Sequence, residues 1–183
     1  IQQLEWSQKV SAHTHRPVLI VAPLAVLPQT IAEGDKFGYV VKEYEPEPAE
    51  GIYIINYDQL DHVDASYFSG VGLDESSILK NFDGKTKQQI IDMFAQTPYK
   101  LACTATPSPN DTMELCNHAE FLNVMTRNEM LAMYFVHDGG STSSWRLKGH
   151  AKQLFWDFVS TWAVMLSNPS DIGFDGSQYI LPR

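Results

Sequence analysis

Cysteine is scarce in this chain, and so is positive charge. Its 183 residues hold two cysteines, Cys103 and Cys116. They are too few and too irregularly spaced for a disulfide framework or a structural zinc site. Lys and Arg number 13 against 22 Asp and Glu, a formal net charge of −9. A domain that grips nucleic acid unaided needs a basic patch, because phosphate neutralisation dominates its affinity. The balance argues against such a role for these residues alone. There is no uncharged apolar run near the ~18 residues of a membrane span, no signal-peptide pattern, no internal repeat and no low-complexity tract. A reduced, cytoplasmic setting without a membrane partner is the expectation.

What is present reads as one globular α/β unit. Residues 18–22 (Val-Leu-Ile-Val-Ala) and 52–55 (Ile-Tyr-Ile-Ile) are short, β-branched apolar runs, the pattern of strands buried on both faces. Residues 39–41, 71–73 and 100–104 are three further strand candidates. Helical spacing is expected over 1–15, 24–33 and 85–96, the last with Ile90, Ile91 and Phe94 on its apolar side. Strands alternating with helices predict a mainly parallel sheet sandwiched by helices. After Thr106 the pattern changes. Helices are expected over 111–122, capped by Asn110 or Asp111, over 126–136 and over 149–166, with a Gly/Ser loop at 138–144, so the tail reads as helix and loop only.

In parallel sheets ligands sit beyond the carboxyl ends of the strands. Ala22-Pro23, Asn56-Tyr57, Asp74-Glu75 and Thr104-Ala105-Thr106 each directly follow a strand, so all four groups are expected on one rim. An acidic pair at the end of a buried strand is costly unless it binds a cation or accepts hydrogen bonds. Asp74-Glu75 taken alone reads first as the opening of a loop that caps the next turn.

The order of these groups carries a resemblance. Asp74-Glu75-Ser76-Ser77, followed by Leu79-Lys80-Asn81, resembles motif II of superfamily 2 helicases of the chromatin-remodeller-like and phage-type branch. Thr104-Ala105-Thr106-Pro107 with Asn110, then Glu114-Leu115, resembles motif III. Ala22-Pro23-Leu24 looks like motif Ia and Ile54-Ile55-Asn56-Tyr57 like motif Ib. Ile180-Leu181-Pro182 looks like the lead into a second RecA-like domain.

The resemblance implies an α/β RecA-like domain of P-loop NTPase type over residues 1–124 and a helical extension over 125–183. It implies ATP and Mg2+ as ligands of the parent protein, and DNA, double-stranded for this branch, as its partner beside the second RecA-like domain. Asp74 would hold magnesium through water and Glu75 would activate the attacking water. Thr104, Ala105 and Thr106 would couple nucleotide state to DNA grip, and Ala22, Pro23, Asn56 and Tyr57 would face DNA.

Two departures stand out. Ser76-Ser77 replaces the commoner Ala-His, so the usual histidine link from motif II to motif III is missing; Ser77 is the candidate to bond Thr104 or Thr106 instead. No Gly-x-x-x-x-Gly-Lys-Ser/Thr loop occurs, and the family places it just before the helix that these residues open with. Tight ATP binding by these residues alone is not expected. Two other readings remain: a nucleotide-independent RecA-like interaction module, and an α/β hydrolase or phosphatase using Asp74-Glu75 with a metal.

Other residues have plainer expectations. His13 and His15 read as helix-end surface residues without a third metal ligand. His118 reads as a packing or surface residue, and Lys80 and Lys100 as solvated lysines. Trp145, Trp156 and Trp162 read as packing aromatics, although aromatic rings can also stack on bases. Cys103 reads as a small apolar strand residue.

Overall fold

The computed structural model describes residues 1–80, 84–108, 111–137 and 145–177. Asn81, Pro109 and Asn110, the 138–144 loop and Ile180-Leu181-Pro182 lie outside the described residues.

Five strands form the sheet: β1 (Val18–Ala22), β2 (Val41–Glu43), β3 (Ile52–Asn56), β4 (Gly70–Asp74) and β5 (Tyr99–Cys103), in the order β2-β3-β1-β4-β5. Every pairing is parallel, in line with the expected α/β class. The central strands β1 and β3 are buried along their whole length, which is why they read as unbroken apolar runs. Alternation then divides their side chains. Ile20, Ala22, Ile52 and Ile54 pack with Leu4 and Leu27 on one face. Leu19, Val21, Tyr53 and Ile55 pack with Ile90, Phe94 and Phe121 on the other.

Helices cover both faces. α1 (Gln2–Thr14) and α2 (Leu27–Phe37) supply Leu4 and Leu27 to the first; α3 (Lys85–Met93) supplies Ile90 to the second. A 3-10 turn over Leu24–Val26 precedes α2, where one helix was expected from residue 24. α2 ends at Gly38, whose φ of 81° is the left-handed cap that glycine adopts without penalty. Gly34 lets α2 lie directly on β2: a Cβ there would stand 2.8 Å from Val41 Cγ2 and 2.9 Å from the Tyr39 carbonyl oxygen.

The tail departs from the helix-and-loop expectation. α4 (Leu115–Phe121) follows a 3-10 turn at Thr112–Glu114 that Asp111 caps by accepting from the Met113 amide. α5 (Arg127–Tyr134) opens on a capping box between Thr126 and Glu129. Where the helix was expected to run to residue 136, the chain enters β6 (Phe135–His137), paired antiparallel with β7 (Trp145–Leu147). α6 (Lys152–Ser160) is shorter than the expected 149–166; Val164 and Met165 beyond it are 84% exposed and have no core to join.

A second apolar cluster unites these elements through Met113, Leu115, Cys116, Met130, Tyr134 and Phe155. α4 therefore serves two cores, giving Phe121 to the sheet and Leu115, Cys116 and Ala119 to the tail. Among the described residues no helix is long and apolar enough to cross a membrane.

Candidate functional site

The acidic pair sits where the strand pattern put it. Asp74 is the last residue of β4, half-buried, and Glu75 follows in the open. Glu75 takes φ 53°, the left-handed region that a non-glycine residue enters only at a cost. Such strain concentrates at functional positions. The twist turns the Glu75 carboxylate toward β5, where Oε1 accepts a hydrogen bond from the Thr104 hydroxyl at 2.9 Å. The same hydroxyl oxygen accepts from the Thr106 amide at 3.0 Å. Thr104 thus organises the turn after β5 and holds the glutamate with one atom.

The expected bridge from Ser77 is not formed: neither Thr104 nor Thr106 bonds it, and Glu75 makes the connection instead. Ser77 is displaced because residues 76–80 wind into a 3-10 turn that buries Ser76 and Leu79. Ser76 Oγ lies 3.2 Å from His118 Nε2 on α4, both side chains buried. Burial holds the His118 imidazole below its ordinary pKa, which keeps it neutral.

Asp74 has two further partners that sequence reasoning missed. Its Oδ1 accepts from Gln3 Nε2 at 2.6 Å, across from the start of α1. Its carbonyl oxygen accepts from the Tyr57 hydroxyl at 2.7 Å. Burial, and then the charges of Asp74 and Glu75, push the Tyr57 phenol well above its ordinary pKa, so it remains a donor. No residue pattern marks Gln3; only the packing of α1 across the sheet brings it there.

The four rim groups do converge, with their side chains turned in different ways. Pro23, Leu24, Tyr57, Glu75, Ser77 and Lys80 line one open cleft of about 330 Å3. Ala22 is fully buried, and Asn56 is 5% exposed with its amide committed to the next turn, accepting from the Asp58 amide and donating to Gln59. Ala105 and Thr106 are exposed, in the turn that Thr104 ties to Glu75. Of the rim residues considered for a DNA strand, Pro23 and Tyr57 line the cleft and Ala22 and Asn56 do not.

A solved structure described as the Sulfolobus solfataricus SWI2/SNF2 ATPase core in complex with dsDNA is similar to this chain, with a TM-score of 0.58 and 16% sequence identity. The likeness covers 88% of this chain and 42% of that one. The fold is RecA-like. No family model and no curated protein matches the sequence. The chain spans less than half the length of that ATPase core, and its RecA-like sheet carries the acidic pair at the end of β4, beside the threonine turn that follows β5.

The remaining candidates are placed on this RecA-like frame as follows. No group of three or more His, Cys, Asp or Glu able to hold a metal occurs among the described residues. His13 packs edge-on against Tyr99 and His15 pairs with Glu50 at 3.4 Å. Trp145 and Trp162 pack against the tail cluster, while Trp156 is 43% exposed. Cys103 is half-buried at the end of β5, its thiol pushed up to about 11 by burial and the nearby Asp74.

Lys100 corrects an expectation. It is not a solvated lysine: its Nζ is buried, 5.3 Å from the centre of the Phe121 ring, without a hydrogen-bond partner among the described residues. Burial pulls its ammonium down to about 8.

Proposed function

We propose that this chain is the nucleotide-handling part of an ATP-dependent DNA translocase or helicase, the first RecA-like lobe of a longer motor. The division into a lobe over 1–124 and an extension over 125–183, leading to a second RecA-like domain, belongs to that proposal. So does the assignment to the remodeller-like and phage-type branch, on Asp74-Glu75-Ser76-Ser77. The observation that carries it is the Glu75–Thr104 hydrogen bond at the strand-end rim, which links an acidic pair to the turn after the neighbouring strand. The dsDNA in the similar ATPase core supports duplex DNA as the partner.

The donor set fits magnesium. Mg2+ keeps several waters and takes one or two carboxylates beside substrate phosphates. Asp74 is half-buried with one oxygen oriented by Gln3, which leaves the other for a metal-bound water. The ion, when bound, would neutralise phosphate charge. Glu75, exposed toward the cleft and held by Thr104, accepts the proton of an attacking water. Thr104 and Thr106 report the state of that carboxylate along the turn after β5. Pro23 and Tyr57 offer the nearest DNA-facing surface. With a net charge of −9, most of the phosphate grip has to come from the rest of the motor.

The test is ATP hydrolysis by the full-length gene product with and without duplex DNA. A rise with DNA is expected. A product that carries an intact phosphate loop yet shows no hydrolysis would overturn the reading and leave the nucleotide-independent interaction module in its place.

A further inference from the structure

The segment after the acidic pair is fastened at two points to a helix that follows it by some forty residues. His118 Nε2 lies 3.2 Å from Ser76 Oγ and its Nδ1 lies 3.4 Å from the Glu114 carbonyl oxygen. A carbonyl can only accept, so Nδ1 carries the proton and Nε2 accepts from the Ser76 hydroxyl. One residue earlier on α4, Asn117 Nδ2 donates to the Leu79 carbonyl oxygen at 2.7 Å. Ser76, Leu79, Asn117 and His118 are all buried, so these bonds are shielded from competing water.

We propose that His118 and Asn117 are positioning residues for Glu75: α4 supplies a histidine to motif II where the motif itself has none. Ser76 is the residue next to Glu75, and Glu75 sits in the left-handed region at φ 53°. A residue in that conformation persists only when its surroundings over-determine it. Thr104 fixes the Glu75 carboxylate from one side; the Ser76–His118 and Leu79–Asn117 bonds fix the backbone from the other. Because α4 also packs Leu115, Cys116 and Ala119 into the tail cluster, movement of the tail is transmitted to the orientation of Glu75. This rests on Glu75 being the base of the proposed ATPase.

The experiment compares the full-length protein with its His118→Leu, His118→Gln and Ser76→Ala variants and the His118→Leu/Ser76→Ala pair. Steady-state hydrolysis and amide hydrogen exchange over residues 75–80 are measured on each. His118→Leu is expected to lower kcat at least tenfold, with the KM for ATP within about twofold, and to speed exchange over 75–80 while β1 and β3 stay protected. His118→Gln, which keeps an acceptor, is expected to recover most of both losses. The double variant is expected to be no worse than either single one, since both remove the same bond. Unchanged exchange and kcat in His118→Leu would overturn the proposal, as would fully additive losses in the double variant. If the unaltered protein does not hydrolyse ATP, the ATPase reading fails, and the exchange measurements still decide whether His118 holds the turn.

Discussion

The Tyr57 hydroxyl donates to the carbonyl oxygen of Asp74 at 2.7 Å, joining the end of β3 to the end of β4 across the top of β1. Tyr57 also lines the cleft with Pro23 and Leu24. One side chain therefore touches both the surface proposed to face DNA and the backbone that carries the acidic pair. Tyr57→Phe keeps the ring and removes the donor. The expected loss is about 1 kcal/mol in unfolding free energy, the worth of one such bond, with a clear drop in the stimulation of hydrolysis by DNA. Equal stimulation in the variant would show that DNA occupancy reaches the acidic pair by another route.

Thr104→Val removes the hydroxyl that serves both Glu75 and the Thr106 amide while preserving shape. Hydrolysis should fall about tenfold through kcat, because each 1.36 kcal/mol of lost orientation is a factor of ten. A rise in KM alone would assign Thr104 to ATP binding instead.

The left-handed backbone at Glu75 predicts a trade between stability and activity. A non-glycine residue in that region costs about 1–2 kcal/mol, and asparagine tolerates it better than glutamate. Glu75→Asn should raise the unfolding free energy by up to about 1 kcal/mol and abolish hydrolysis. Urea denaturation checks the first point; a destabilised variant would mean that Glu75 contributes more through Thr104 than its backbone costs.

Lys100 gives a pH dependence with a definite sign. Its folded pKa of about 8 lies below the ordinary 10.5, so between those values the unfolded chain binds the proton that the folded chain has lost. Stability attributable to this group therefore rises with pH from about 8 to 10.5, and the charged form opposes folding below 8. Lys100→Met should stabilise the protein at pH 7 and flatten that slope. After allowance for its partial exposure to solvent, the gain is about 1 kcal/mol. Thermal unfolding at pH 7 and pH 10 measures it; a destabilised Lys100→Met at pH 7 would show that the Phe121 ring or an anion compensates the charge.

Much of this was legible in the sequence because parallel strands buried on both faces leave a plain mark. Val18–Ala22 and residues 52–55 are unbroken apolar runs, and the polar residues at or after each strand end mark the rim. Boundaries moved where a single residue decided them. The second strand was expected over 39–41, but Val40 is 70% exposed and Val41 is the residue that packs. The β6–β7 ribbon was hidden because Phe135 continues the helical spacing of α5, while its pairing depends on Leu147, far along the chain. The contacts that hold the acidic pair were illegible for the same reason. Gln3, Tyr57 and His118 are separated from their partners by 71, 17 and 42 residues, and no local pattern pairs them with those partners.

The central claim is that Glu75 is the base of a DNA-stimulated ATPase. The most direct measurement is single-turnover hydrolysis of bound ATP by the full-length Glu75→Gln variant beside the unaltered protein, both saturated with duplex DNA. Glutamine is nearly isosteric and still accepts from Thr104, but it cannot take a proton. The account predicts normal ATP binding with hydrolysis slowed at least a hundredfold, within the range by which a positioned base contributes. Hydrolysis at the unaltered rate in Glu75→Gln would contradict it.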